Sequence, residues 1–225
     1  MSFDPWCGDS YRTPPRNGGP LLLLGWSHYQ RRAGWEATEP LDSNFTNKCI
    51  EDHIEKGYDT PKQFWAKVRQ AVIGGECVVP REECREFWRS VAFYNYIQEA
   101  LQDAKDRPSK EQHRKARAAF LAVLQTLMPK KIIVLGESLW RGLPNDGHSG
   151  HDLVSSEADQ PIRKTWHYPT GLDGVAVASR IDHPSVRSKW HPDHWHRWVT
   201  AALNQDSSAC LKCSAALTHS ELTNG

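Results

Sequence analysis

The stretch DHPSVRSKW (Asp182 to Trp190) gathers a histidine, two serines, two cations and a tryptophan within nine residues. A proline placed after a histidine makes a rigid, non-helical corner. An imidazole, hydroxyls and cations at such a corner can meet an anion. The same composition also suits an ordinary polar loop. Three further stretches carry residues of comparable use: GWSHY (Gly25 to Tyr29), FYNY with Asn95, and GESLW with Ser138. An asparagine amide holds a donor and an acceptor together, which suits a ligand edge carrying one of each. Metal chemistry has weaker support. Cys210 and Cys213 have ligand spacing, but no second pair completes a site. On a helix His191 and His194 share a face and His196 does not, so this cluster reads as polar surface. Neither a metal nor a cofactor is expected.

The elements that must position these residues follow from apolar periodicity and from turn residues. PLLLLG is a short apolar run ending at Gly25, the pattern of a buried parallel strand and a tight turn. SVAFYNY and KKIIVLGE read as second and third strands, and GVAVASR, with RKTWHYPTG before it, as a strand pair. Between them lie helical patterns. TNKCIEDHIEKG has a Thr46 or Asn47 cap and a Gly57 stop. TPKQFWAKVRQAVIGG has Thr60 as cap and Pro61 at the first helical position. Its apolar residues recur at Phe64, Trp65, Val68, Ala71 and Val72, and Gly74 ends it. A short helix covers Arg81–Phe87. SKEQHRKARAAFLAVLQTLMP opens on a Ser109–Gln112 capping box and closes at Pro129. HPDHWHRWVTAALN is the last helix. Residues 26–45 and 141–163 read as polar loops.

Strands alternating with helices predict one three-layer α/β domain, with a central, mainly parallel four-stranded sheet between helices. The expected organisation is an irregular arm over 1–20, the domain over 21–204 and a polar tail over 205–225. In such folds functional residues gather beyond the carboxyl ends of the strands. All four chemistry-bearing stretches fall there.

Composition sets outer limits. The 225 residues fit one domain. The formal net charge is +1, so no global field draws the chain to nucleic acid or a membrane. Charge is uneven, however. Pro161–Thr200 holds six Lys or Arg (Arg163, Lys164, Arg180, Arg187, Lys189, Arg197) against three Asp (Asp173, Asp182, Asp193). A local basic face is expected there. No apolar run has the ~18–20 residues of a membrane span, and MSFDPWCGDSYRTPPRNGG has no signal-peptide pattern. A cytoplasmic monomer that does not engage membranes is expected, with its six cysteines as free thiols.

Taken in order, the four stretches resemble the uracil-DNA glycosylase superfamily, in a divergent bacterial branch. Its members carry a first-strand motif such as Gly-x-Asp-Pro-Tyr, for which GWSHY stands here. A stacking aromatic follows, for which Phe45 in SNFTN is the candidate. A second strand ends in a base-reading Asn, here Asn95. A third strand ends in Gly, here in IIVLGESLW. The last motif is His-Pro-Ser followed by a minor-groove wedge, here HPSVR. The resemblance covers roughly residues 20–200, and its strength lies in the ordered set. HPS alone is common by chance.

The resemblance implies a glycosylase-like fold and a DNA partner. It also implies hydrolysis of the bond between deoxyribose and a flipped pyrimidine. Flipping costs a few kcal/mol, and catalysis must then stabilise a sugar cation and a base anion. His183 is assigned to the leaving base, donating an imidazole N–H to the pyrimidine O2. The competing reading is a turn histidine bonded to backbone. Asn95 is assigned to the base edge and Phe45 to the base face. Gly25, Trp26 and Tyr29 complete the base-binding set, with Tyr29 where uracil enzymes exclude a 5-methyl group. Arg187 takes the wedge position, while Ser138, Ser185, Lys189 and Trp190 line the backbone groove. Core packing and solvated charge are the competing readings for the aromatics and the cations.

Two departures stand out. Ser27 occupies the place of the usual catalytic Asp, and His28 that of the Pro. Asp42, Glu36, Glu39 or Asp182 could substitute for the acid, attack could be slow, or the site could be inactive. The enlarged loop after Gly25 suggests a reshaped pocket, and the superfamily includes antiphage members that excise hypermodified cytosine. Tyr29 argues against so bulky a base. No lysine suited to strand cleavage is visible near the motifs. Three functions follow: a monofunctional glycosylase, a catalytically weak module that reads flipped or single-stranded bases, and an unrelated α/β phosphate or nucleotide binder. DNA binding that weakens with salt separates the third from the others.

Overall fold

The structure is a computed structural model. It describes residues 3–16, 18–32, 35–36, 41–56, 64–150, 152–153, 163–171, 174–185 and 190–205, and for 31, 32, 35 and 36 the backbone only. Arg187, Lys189, Glu39, the Thr60–Pro61 cap and the Cys210/Cys213 pair lie outside the described residues.

In chain order the elements are β1 (Trp6–Cys7), β2 (Leu21–Gly25), β3 (Tyr29–Arg32), β4 (Trp35–Glu36), α1 (Phe45–Lys56), α2 (Phe64–Ile73), α3 (Arg81–Arg89) and β5 (Ala92–Asn95). There follow β6 (Leu101–Asp103), α4 (Lys110–Leu127), β7 (Lys131–Leu135), α5 (Glu137–Gly142), β8 (His148–Ser149), β9 (Trp166–Thr170), β10 (Gly174–Ile181) and α6 (Pro192–Asn204). The main sheet runs β1-β5-β2-β7-β10-β9-β8. Its centre, β5-β2-β7-β10, is parallel.

The expected four-stranded sheet is therefore corrected to seven strands. The four central strands are the ones whose apolar runs are visible in sequence. β1 and β8 span two residues each, too short to show a periodicity, and both pair antiparallel at the edges. The irregular-arm expectation for residues 1–20 is also revised. β1 joins the sheet, and Phe3 and Tyr11 are buried in the domain. The loop after Gly25 contains β3 and β4, which form a small second sheet with β6.

Strand alternation sorts side chains onto two faces. Leu21, Leu23, Phe93, Ile133, Leu135 and Ile181 pack with α1, α2, α3 and α6. Leu22, Leu24, Ala92, Tyr94, Ile132, Val134 and Ala178 pack with α4 and α5. Two apolar layers around a sheet of buried Leu, Ile and Val produce the three-layer domain. Gly25, Asn95 and His183 continue the first parity and belong to the α1–α2 side.

Helix starts depend on caps. α4 begins as expected: the Ser109 hydroxyl accepts from the Gln112 amide N–H, and the Ser109 N–H donates to Gln112 Oε1. Ser109→Ala is expected to lower stability by about 1 kcal/mol, read as a lower urea midpoint at unchanged slope. α1 differs from expectation. It starts at Phe45, and Thr46 is not its cap but a buried residue of its first turn.

Candidate functional site

The parallel strands deliver their carboxyl ends to one edge. β2 pairs with β5 on one side and β7 on the other, although the chain visits β2, then β5, then β7. The connection direction reverses between β2 and β7, the position at which α/β sheets commonly bind their ligands. Both strands are followed or ended there by glycine. Gly25 is the register partner of Asn95. Gly136 has φ 120 and donates its N–H to the carbonyls of Val134 and Ile181. A Cβ on Gly136 would stand 3.4 Å from the Cβ of His183. With neighbouring strands ~4.8 Å apart, the four central strands carry Asn95, Gly25, Gly136 and His183 along one rim.

Asn95 is buried and held on both sides. Its Nδ2 donates to His28 Nε2 at 3.1 Å. That bond puts the proton of neutral His28 on Nδ1. The Thr46 hydroxyl lies 2.8 Å from the same Nε2. Phe3 and Phe45 both meet the His28 ring edge-on, with centroids 4.8 Å away. His28 thus orients the Asn95 amide, and Thr46 and two aromatic rings orient His28. Asn95 Oδ1 faces Gly25, where a Cβ would come within 2.4 Å of it. Only glycine leaves room for that amide.

The His-Pro-Ser turn follows β10. The Ser185 N–H donates to His183 Nδ1 at 3.2 Å. A neutral ring with an accepting Nδ1 carries its proton on Nε2. Burial, and secondly the charge of Lys67, hold the His183 pKa down at about 4. Phe64 from α2 lies on the ring, 5.5 Å between centroids and tilted by 35°. Phe64 also touches Phe93, whose ring end faces Gly25. His183 and Asn95 are therefore linked through Phe64, Phe93 and Gly25. The backbone bond of the competing reading is present, and it is the bond that leaves Nε2–H as the free donor.

The low pKa has a consequence for stability. An unfolded histidine titrates near 6.5, so between pH 6.5 and 4 the unfolded chain binds the extra proton and the folded one does not. Stability from this group is fully present above about pH 6.5 and falls as pH drops toward 4, at up to about 1.4 kcal/mol per pH unit. Urea midpoints at pH 7 and pH 5 are expected to differ more in the wild-type chain than in His183→Ala.

The remaining expected residues separate into groups. Ser27 is 9% exposed, and among the described residues its Oγ has no hydrogen-bond partner. Tyr29 opens β3 and pairs with Leu101. Trp26 is not brought to the Asn95 side. It packs against the α4 layer, with the Arg107 guanidinium 6.0 Å from its ring. Ser138 and Ser185 are exposed at the strand-end rim, and Trp190 is half-buried against α6. Of the substitute acids, Asp42 pairs with Lys48 at the surface. Asp182 lines a groove of about 410 Å³ with Arg163 and α6 residues. Among the described residues no cluster of His, Cys, Asp or Glu could hold a metal. No described helix is long and apolar enough to cross a membrane.

No family model matches this chain, and no curated protein is similar to it in sequence.

Sequence reasoning missed Phe3, Thr46, Phe64 and Lys67. Lys67 lies 117 residues from Pro184, yet its Nζ donates to the Pro184 carbonyl at 2.8 Å. This contact brings a lysine to the His-Pro-Ser turn from a helix that the motifs do not include. No local pattern signalled it, because the contact joins segments far apart in the chain.

Proposed function

We propose that the chain is a monofunctional DNA glycosylase. It would take a modified or deaminated pyrimidine flipped out of DNA and hydrolyse its N-glycosidic bond, leaving an abasic site. The observation that carries this reading is His183. It is a neutral imidazole with Nδ1 occupied by a backbone N–H, so Nε2–H remains to donate. It sits on the same rim and the same sheet face as an oriented asparagine amide.

The proposed chemistry follows from these groups. The bond from C1′ to the base nitrogen breaks, and its electron pair leaves with the base. Nε2–H of His183 donates to the base oxygen on which the charge collects. A preorganised donor gains most in a site shielded from water. Asn95 reads the base edge through its remaining amide hydrogen and Oδ1, with its orientation fixed by His28. Phe45 supplies an aromatic face next to that pair. Water adds to C1′ and loses its proton to solvent. In this reading Ser27, whose buried Oγ has no hydrogen-bond partner among the described residues, would have to be uncovered to hold that water. The basic stretch after Pro161 would meet phosphates.

A second reading has one observation in its favour. Ser27 is a weaker water-activating group than a carboxylate, which suits a module of the same fold that binds flipped or single-stranded bases and cleaves slowly. Release of free base distinguishes the two. Chromatography of DNA incubated with the protein would show free pyrimidine under the first reading. Salt-sensitive binding without free base would favour the second.

A further inference from the structure

α2 buries two cations, and they differ. Arg69 donates to the carbonyls of Glu76 and Cys77 and so closes its own loop. Lys67 is 8% exposed, and no carboxylate lies within ion-pair distance of it among the described residues. Its Nζ donates to the Pro184 carbonyl at 2.8 Å and lies 5.8 Å from the centroid of the Trp190 ring. A buried ammonium without a counter-ion is costly, and an apolar residue of the same shape would avoid that cost. Stability alone does not account for Lys67. Its contact with the His-Pro-Ser turn does. Phe64 sits three positions earlier, on the same face of α2. The helix therefore covers the His183 ring with Phe64 and holds the next carbonyl with Lys67.

We propose that Lys67 is a positioning residue for base release. It locks the Pro184 carbonyl and supplies fixed positive charge behind His183 as the leaving base becomes negative. This rests on the glycosylase reading. Among the described residues the neighbouring elements bring these other charges. The turn after β7 brings Gly136, which has none, and then Glu137, whose carboxylate pairs with Arg180 and Arg141. The turn's own segment brings Asp182, which lines the groove with Arg163, His191, Asp193, His194 and Arg197. Trp190 brings an aromatic face. Lys67 is the charged group whose influence on the ring is resolved, and it opposes protonation.

The test uses the full chain with Lys67→Met and Lys67→Arg, each checked for folding by circular dichroism. NMR titration of the His183 ring is the first readout, and single-turnover base release the second. In Lys67→Met the His183 pKa is expected to rise by about one unit, and base release to fall about tenfold or more. Lys67→Arg should restore most of both. An unchanged titration and an unchanged rate in folded Lys67→Met would overturn the proposal. So would a borohydride-trapped protein–DNA adduct that disappears in Lys67→Met, since that would make Lys67 a nucleophile. If the wild-type chain releases no base, the glycosylase reading fails separately, and the titration still decides whether Lys67 controls His183.

Discussion

Replacing His183 with alanine is expected to lower the rate of base release by on the order of 10²–10³, with DNA binding little changed. The size follows from what is removed. A donor aimed at developing charge contributes to the transition state and little to the ground state. The imidazole is already neutral at physiological pH, held near a pKa of about 4 by burial and Lys67. No proton has to be lost before it can donate through Nε2. The rate should accordingly be insensitive to the titration of this group between pH 6 and 8. A glutamine at 183 would retain an N–H donor and is expected to recover part of the loss. If alanine and wild type release base at equal rates, His183 is only a turn residue.

Gly25→Ala carries the second large effect, for a steric reason. The added Cβ would stand 2.4 Å from Asn95 Oδ1 and 2.7 Å from Phe93 Cζ. Neither neighbour can yield easily. Phe93 is 1% exposed and packs edge-on against Phe64, Trp65 and Trp88. Asn95 is tied to His28. Overpacking of this kind costs about 1–3 kcal/mol, and thermal unfolding should report it. The larger loss is expected in activity. The least confined partner is the Asn95 amide, and displacing it breaks its bond to His28 and misdirects base recognition. A folded Gly25→Ala protein with wild-type activity would show that Asn95 does not read the base.

How much of this was legible in the sequence depended on range. Leu21–Leu24 and Ile132–Leu135 announce buried strands because fully apolar runs ending in glycine have few other uses. Ser109 and Gln112 announce a helix start because a capping box closes within four residues. The rim holding Asn95, Gly25 and His183 follows from strand ends in an α/β sheet. Contacts between distant segments had no such signal. His28 reads as a lost proline until Asn95 and Thr46 are seen on its Nε2. Lys67 carries no signal until its hydrogen bond to the Pro184 carbonyl is seen. Trp26 has the composition of a base-binding aromatic, but strand parity sends it to the other face. Two-residue edge strands such as β1 and β8 are paired by tertiary context, which no local window contains.

The most direct measurement is abasic-site formation. The protein and its His183→Ala variant would be incubated with uracil-containing DNA and with phage DNA carrying glucosylated hydroxymethylcytosine, then treated with alkali. The account predicts strand nicking on at least one substrate by the wild-type chain and its loss in the variant. Intact strands on both substrates, from protein that still binds DNA in a salt-sensitive way, would contradict it and leave the base-binding module as the better description.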